Sequence, residues 1–266
     1  MMITTRSKGI DEAIKRKMRT VKVLKNWDEL KKMGPQYSRD FPVQAYKTHE
    51  ELCKMNLNVT WKDKRCFVIG GGPSLRGFDF SSLKGEHTIA VNRAFEYLSS
   101  TIIFFMDNET FYKELMSGQF GKKAKERFIG SKALKISLNI EGARYEYGVY
   151  SVPMSKDPQM TTDLKDGLFE GDNSGYAALN LAVCLGANPI YLLGFDMKSN
   201  GTGKQSWFHS GYRSVGKDYV YKKWIRYFEE AVPIIDSLGI KVINLNPDSA
   251  LRCFEFGEFE KIKDSK

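Results

Sequence analysis

The chain has 266 residues, of which 42% are apolar and 27% are charged, and it contains 23 glycines and 8 prolines. This composition is typical of a globular protein with a sizeable core, and it excludes disordered and collagen-like chains. No run approaches the roughly 18 apolar residues of a membrane helix, and residues 1–20 lack the apolar stretch of a secretory signal. We therefore expect no membrane span and a cytoplasmic location.

The formal net charge of +9 is concentrated at the start of the chain, where residues 1–65 hold 16 Lys and Arg but 8 Asp and Glu. The sequence leaves two interpretations open: a solvated helical face, or a docking surface for nucleic acid, an acidic glycan or a membrane. Apolar spacing over residues 10–33 predicts a helix, and Thr48 with Glu51 forms a capping box for a second helix over 48–55. We predict a basic, largely helical N-terminal extension over residues 1–64.

From residue 65 onward, short apolar runs alternate with helical stretches. The runs at 66–72, 87–91, 101–106, 133–138, 190–194 and 241–245 are typical of buried strands. The stretches at 93–99, 109–116, 174–185 and 218–238 have helical composition and spacing. This alternation predicts an α/β domain over residues 65–266, with a mostly parallel sheet and helices on both faces.

The cysteines and histidines are too sparse and scattered for a metal centre. The cysteines are Cys53, Cys66, Cys184 and Cys253, and the chain has three histidines. No metal-binding spacing and no dense disulfide framework can be drawn from them. Cys66 and Cys184 lie in apolar runs, so we expect them to be small core residues.

In parallel sheets ligands bind outside the carboxyl ends of the strands, and here those ends are polar and rich in glycine. Gly70, Gly71 and Gly72 follow the first strand, and Ser74 follows them, so main-chain amides can approach a phosphate or a ribose. The loop has neither the P-loop nor the dinucleotide glycine pattern, and a simple tight turn is the alternative.

Three later strand ends or helix starts carry further candidates. Asn92 offers an amide to a nucleotide, or caps a helix. Asp107 offers a carboxylate for Mg²⁺ near a diphosphate, or caps the next helix. Ser174 and Gly175 open a helix whose unpaired amides can bind an anion.

A long polar loop of residues 198–218 follows the strand at 190–194 and has the length of a functional lid. His209 lies in this loop beside the expected cleft, and an imidazole there has a pKa suited to accepting a hydroxyl proton. We therefore predict His209 to be a general base, whereas His49 and His87 have no comparable setting. The aromatic residues Trp224, Tyr227 and Phe228 of the late helix are expected in the core, with a subunit contact in a homo-oligomer as the alternative.

Five motifs occur together in a recognisable order. They are GGGPSLRGFDFSSLKG (70–85), AVNRAFEY (90–97), GDNSGYAALNLAVCLGANPIYLLGFDM (171–197), WFHSGY (207–212) and NPDSALRCF (246–254). Across residues 65–256 the chain resembles a superfamily that joins the bacterial sialyltransferases of glycosyltransferase family 42 with the archaeal 6-hydroxymethylpterin diphosphokinase-like proteins, formerly DUF115. Uncharacterised bacteriophage proteins look most similar, and a phage protein would lie in the host cytoplasm.

The resemblance implies a Rossmann-like fold that binds a CMP-sugar as a co-substrate, with no tightly bound cofactor. The positions that match its nucleotide-binding motifs are Gly70, Gly71, Gly72, Ser74, Asn92, Ser174, Gly175, Asn246 and Ser249. The family's catalytic histidine precedes a serine, as His209 precedes Ser210. Two departures are clear: the family has Asn at the position of Gly71, and its two lid tyrosines are replaced near Lys198 and Lys204, which could instead stabilise a departing phosphate.

Three functions are compatible with these motifs. The leading hypothesis is transfer of a sugar from a nucleotide donor to an acceptor hydroxyl, on a glycan or on modified DNA, with His209 as the base. The second is a Mg²⁺-dependent pterin diphosphokinase that uses Asp107, Glu109 or Asp196, and metal dependence separates it from the first. The third is a non-catalytic nucleotide-fold module that docks on nucleic acid through its basic N-terminus.

Overall fold

The computed structural model describes residues 48–55, 57–139, 147–199, 201, 203–212 and 217–263, apart from the side chains of Val59, Glu109 and Asn139. The described residues belong to one compact unit, Gln44–Lys266. The helix predicted over residues 10–33 lies outside the described residues. The division into an extension over 1–64 and a domain over 65–266 stays a prediction.

Eight strands form one sheet. They are β1 (Cys66–Ile69), β2 (His87–Val91), β3 (Ile102–Phe105), β4 (Leu134–Asn139), β5 (Val149–Pro153), β6 (Ile190–Leu193), β7 (Val242–Asn244) and β8 (Glu255–Phe256). Their order is β5-β4-β3-β2-β1-β6-β7-β8, and every neighbouring pair is parallel. The six predicted strands are confirmed, and β5 and β8 were not predicted.

Seven α-helical segments are described between and around these strands. They are α1 (His49–Cys53), α2 (Leu57–Trp61), α3 (Glu114–Met116), α4 (Lys122–Gly130), α5 (Ser174–Cys184), α6 (Val220–Ser237) and α7 (Phe259–Ile262). The helix predicted at 93–99 is a 3-10 helix, Asn92–Glu96, and the one at 109–116 is a π-helical turn, Asn108–Lys113, that continues into α3. None of the described helices combines the length and the apolar character that crossing a bilayer requires.

The sheet is buried on both faces because successive side chains of a strand point to opposite sides. Cys66 and Val68 of β1 pack into a core shared with α5 and α6, whereas Phe67 and Ile69 pack into a second core with α4 and α7. The predicted α/β fold, Rossmann-like with a parallel sheet and helices on both faces, is confirmed. Cys184 is buried like Cys66, as predicted for both.

Residues 48–61 pack against the first of these cores. The side chains of Leu52 and Trp61 are 1% and 3% exposed. The predicted capping box begins α1: the Glu51 amide donates to Thr48 Oγ1 at 3.1 Å, and the Thr48 amide donates to Glu51 Oε2 at 2.7 Å. Burial of Leu52 and Trp61 therefore joins α1 and α2 to the sheet.

Candidate functional site

A cavity of about 370 Å³ lies at the carboxyl ends of the central strands. The chain leaves β1 through Gly70–Gly72 and leaves β6 through Gly194–Met197, and both segments line the cavity. The strand order runs outward in opposite directions from β1 and β6, so a crevice opens between the connections that follow them. The sequence predicted the candidate site at this edge of the sheet.

The glycine corner after β1 is tied to the corner after β6. The Gly72 amide donates to the Gly194 carbonyl at 2.8 Å. The Asp196 carboxylate accepts from the Ser74 amide at 3.0 Å and from the Ser74 hydroxyl at 2.7 Å. A Cβ on residue 72 would lie 1.9 Å from Asp196 Oδ2, so this close approach requires glycine. Burial raises the pKa of Asp196, and the two hydrogen bonds from Ser74 oppose that rise.

Only one of the three glycine amides at the first corner is available to a ligand. The Gly70 amide donates to the Leu193 carbonyl at 2.7 Å, and the Gly72 amide is used as described. The Gly71 amide makes no hydrogen bond within the described part of the chain. Of the glycine amides predicted to contact a phosphate at this corner, the Gly71 amide is therefore the one that is free to do so.

The first turn of α5 forms the opposite wall of the cavity. Asn173 caps this helix, and its Oδ1 accepts from the Tyr176 amide at 3.0 Å. The amides of Ser174 and Gly175 make no hydrogen bond to any described residue, and both residues line the cavity. Free amides at the start of a helix of this length attract negative charge.

Asp107 approaches the same helix start from the end of β3. The Ser174 hydroxyl donates to Asp107 Oδ2 at 3.1 Å. Asp107 is open to the cavity but has protein on most sides, and this desolvation raises its pKa against the lowering effect of the Ser174 bond. The structure thus brings together two residues that the sequence assigned to separate strand ends.

Two polar atoms in the cavity wall are buried and lack a partner among the described residues: Asn92 Oδ1 and Ser206 Oγ. An unsatisfied buried polar atom costs about 1–3 kcal/mol, so two of them beside one cavity favour a polar ligand that completes their hydrogen bonds. Three of the cavity residues, Asn92, Asp172 and Met197, also have left-handed backbone, with φ of 49°, 56° and 49°. Such strained conformations concentrate at functional sites.

His209 lies in the cavity wall and is only 9% exposed. Its Nδ1 accepts from the Gly211 amide at 3.0 Å. Burial, and then the positive charge of Arg93, lower the pKa of His209 from 6.5 to about 3, so the ring is neutral in the folded protein at neutral pH. Arg93 is held by its ion pair with Glu96 and by the Gly211 carbonyl.

Eight of the thirteen predicted site residues line this one cavity: Gly70, Gly71, Gly72, Asn92, Asp107, Ser174, Gly175 and His209. Their roles stay predictions, but their convergence on one hollow is a property of the fold.

The other five predicted residues do not line it. Ser74 bonds Asp196, and Ser249 is fully buried with its hydroxyl donating to the Phe195 carbonyl at 2.5 Å. Asn246 Oδ1 accepts from the Asp248 amide at 3.1 Å within the same late turn. Ser74 and Ser249 therefore hold the segment after β6 that lines the cavity, whereas Asn246 organises its own turn.

Lys198 and Lys204 are exposed and stand outside the cavity lining. Burial raises the pKa of Asp196, and the positive charge of Lys198 opposes part of that rise. Lys204 forms a backbone bridge with Lys217. Their predicted role in stabilising a departing phosphate stays a prediction.

The aromatic side chains of the cavity wall were not assigned to the site from the sequence. Trp207 and Tyr212 flank His209 in the loop, and Tyr221 and Trp224 come from α6. Trp224 was expected in the core or at a subunit contact; it is half-buried, packs against the first core and also borders the cavity. The aromatic residues around His209 in the WFHSGY motif were the signal that could have indicated this wall.

Hydrogen bonds to the protein already occupy part of the predicted Mg²⁺ carboxylates. Both oxygens of Asp196 already accept hydrogen bonds from Ser74, and one oxygen of Asp107 accepts from Ser174. The side chain of Glu109 is outside the described set. Nowhere in the described ranges do three His, Cys, Asp or Glu side chains come together as metal ligands.

No protein-family model and no curated protein matches the chain. Among solved structures, the chain is similar to the sialyltransferase CstII from Campylobacter jejuni, which was solved in complex with a substrate analogue, cytidine-5'-monophosphate. The match has 18% identity and a TM-score of 0.44, and it covers 73% of this chain and 85% of that one.

Proposed function

We propose that the protein is a transferase that binds a nucleotide-activated sugar, of the CMP-linked type, in the cavity between β1 and β6 and transfers the sugar to an acceptor hydroxyl. The observation that carries the proposal is the convergence of unpaired donors and acceptors on one hollow. The amides of Gly71, Ser174 and Gly175 are available to phosphate oxygens, and Asn92 Oδ1 is available to an N–H or O–H of the nucleoside.

In such a transfer the bond between the anomeric carbon and the donor phosphate breaks, and its electron pair leaves on the phosphate oxygen. The acceptor oxygen bonds to the same carbon, and the hydroxyl loses its proton. The protein has to position two reactants and to stabilise the charge on the leaving phosphate. The aromatic wall of Trp207 and Trp224 supplies flat apolar surface for a base or sugar ring.

The proposed CMP-linked donor and the proposed acceptors are supported by the motif resemblance alone. An acceptor glycan is the first choice, and modified DNA is the second. No observation among the described residues favours the diphosphokinase alternative, because both oxygens of Asp196 and one oxygen of Asp107 already accept hydrogen bonds from the protein. The nucleic-acid docking alternative rests on the basic extension over residues 1–64, of which residues 1–47 lie outside the described residues.

Nucleotide binding by the intact protein tests the proposal. We expect CMP, or another member of a panel with UMP, GDP and ATP, to raise the melting temperature, because a ligand that prefers the folded state stabilises it. Gly71→Ala should weaken this binding about tenfold, or about 1.4 kcal/mol, since the new Cβ lies 3.0 Å from Trp207 Cδ1 and narrows the cavity.

Gly130→Ala is the matched control, because a Cβ there meets nothing within 4 Å. It should bind as the unaltered protein does. If no nucleotide of the panel binds, or if both alanine variants bind equally well, the cavity is not the nucleotide site that we propose.

A further inference from the structure

Three groups that carry N–H bonds lie close together at Gly71 in the cavity wall: the Gly71 amide and the side chains of His209 and Trp207. Their spacing is given from one reference point, the position that a Cβ of residue 71 would occupy. His209 Nε2 lies 3.5 Å from this point and Trp207 Nε1 lies 3.8 Å from it. The third group is the amide of Gly71 itself. Neither ring nitrogen has a hydrogen bond within the described residues, and the Gly71 amide has none there either. The absence of a side chain at Gly71 keeps this point open.

The tautomer of His209 follows from its other nitrogen. Nδ1 accepts a hydrogen bond from the Gly211 amide, so Nδ1 carries no proton. A neutral imidazole has one N–H, and the proton is therefore assigned to Nε2. In this tautomer the nitrogen beside Gly71 is a donor, and it has no lone pair with which to accept a proton.

The described cavity wall contains no lysine or arginine, although Asp107, Asp172 and Asp196 line it. Among the described wall residues, the donors that a phosphate in the cavity can meet are therefore neutral. Such donors are effective in a site that excludes water, where a hydrogen bond to a charged group is stronger than in solution.

We propose that His209 Nε2–H, Trp207 Nε1–H and the Gly71 amide form a neutral three-donor cradle for the phosphate of the bound nucleotide, with His209 as a donor in place of its predicted role as general base. This inference rests on the proposed function. In sugar transfer the cradle stabilises the leaving phosphate, and the acceptor's proton passes to that phosphate, whose second pKa is about 6, or to water.

The low basicity of the ring agrees with this geometry. A proton on His209 would lie in a desolvated position near Arg93, and both factors lower its pKa to about 3. A general base works best when its pKa lies near the operating pH. The ring thus stays neutral at neutral pH and keeps its Nε2 proton for donation.

The test compares the affinity of a nucleoside monophosphate with that of its nucleoside, using the best-binding member of CMP, UMP, GMP and AMP. The ratio of the two affinities measures the phosphate contact alone. His209→Phe and Trp207→Phe keep an aromatic ring but lack the donor, so each should reduce this ratio about ten- to a hundredfold. His209→Gln places an amide N–H near the Nε2 position and should restore much of the ratio.

His87→Gln is the control, because His87 stands at the amino end of β2, at the opposite edge of the sheet. A general base predicts a different pattern: His209→Gln would lose turnover as fully as His209→Phe, with the affinity ratio unchanged in both. That pattern would overturn the donor role while leaving the proposed function intact. If the unaltered protein binds none of the four nucleotides, the proposed function fails and the cradle fails with it.

A second measurement does not depend on any variant folding. The ¹⁵N chemical shifts of the imidazole in the unaltered protein at pH 7 should show a protonated Nε2 and an unprotonated Nδ1. Shifts of the Nδ1–H tautomer, or of an imidazolium, would overturn the assignment even if nucleotides bind.

Discussion

The protonation of His209 is coupled to folding because the native ring is buried. Its pKa falls from 6.5 to about 3 in the folded protein through burial and the nearby charge of Arg93. Between these values the unfolded chain binds a proton that the folded protein does not bind. The free energy of unfolding therefore falls as the pH drops from 6.5 towards 3, and this contribution is constant above that window.

We expect the unaltered protein to lose about 1.4 kcal/mol of unfolding free energy per pH unit below 6.5, relative to His209→Gln, which has no titrating ring. Urea unfolding at pH 7, 6 and 5 measures this difference, and carboxylates common to both proteins cancel. His87→Gln removes a half-buried histidine far from the cavity and serves as the comparison. Parallel pH dependence in the unaltered protein and His209→Gln would contradict a buried, neutral His209.

At the level of single elements, α5 is joined to the segment before it through one buried amide. Asn180 is fully buried in the middle of the helix. Its Oδ1 accepts from the amides of Thr161 and Phe169 at 3.2 and 3.0 Å, and its Nδ2 donates to the Thr161 carbonyl at 2.6 Å. The Thr161 hydroxyl also reaches Asn180 Oδ1 at 3.2 Å and the Gly167 carbonyl at 2.8 Å. The side chain thus satisfies backbone groups that water cannot reach.

Asn180→Leu should lower the free energy of unfolding by about 3 kcal/mol or more, because it leaves two amides and a carbonyl without partners. Chemical denaturation followed by circular dichroism measures the loss. Thr161→Ser keeps the hydroxyl and should cost less than about 1.5 kcal/mol, whereas Thr161→Val removes it and should cost more. A loss for Asn180→Leu no larger than that for Thr161→Ser would show that the network contributes little.

The elements that could be predicted from the sequence are those whose burial leaves a continuous apolar run. β1 and β6 are apolar throughout because helices or turns cover both of their faces. β5 and β8 are the two edge strands of the sheet. β5 contains Ser151 and ends in Pro153, and β8 has only two residues, so neither produces a continuous apolar run. The helix α4 was missed for a related reason: it buries only Ala124 and Phe128 and is otherwise polar.

The sequence predicted those residues of the candidate site whose place follows from their position at the end of a strand or the start of a helix. Strand ends of a parallel sheet meet at one edge, so Gly71, Asn92 and Ser174 were expected near each other. What the sequence does not contain is the pairing of distant residues, such as Ser74 with Asp196 or Ser249 with the Phe195 carbonyl. Because of these bonds, Ser74 and Ser249 hold the cavity wall in place, whereas the sequence predicted that they contact the nucleotide.

For the whole molecule, the cavity depends on connections that are far apart in sequence. Its walls combine residues after β1, β2, β3 and β6 with the start of α5 and the loop around His209. Parallel pairing brings these segments together only when the central sheet is complete. Binding at the cavity and cooperative unfolding of the compact unit should therefore report on the same structure.

The N-terminal segment of the chain and the cavity wall differ in charge. Residues 1–43 hold 11 Lys and Arg and 5 Asp and Glu, whereas the described cavity wall holds acidic and neutral residues. If residues 1–43 dock on a polyanion through their charge, each phosphate that they neutralise adds about −0.9 to the slope of log affinity against log salt concentration.

Deletion of residues 1–43 separates these two properties. We expect the shortened protein to bind the nucleotide within about twofold of the full chain, because the residues known to line the cavity all belong to the compact unit Gln44–Lys266. Its affinity for duplex DNA at low salt should fall at least about tenfold, and the salt slope should flatten by several units. Fluorescence anisotropy at four salt concentrations measures the affinity for DNA and its salt slope.

An unchanged salt slope would place the polyanion site elsewhere or show that there is none. A parallel loss of nucleotide binding would mean that the basic segment contributes to the cavity.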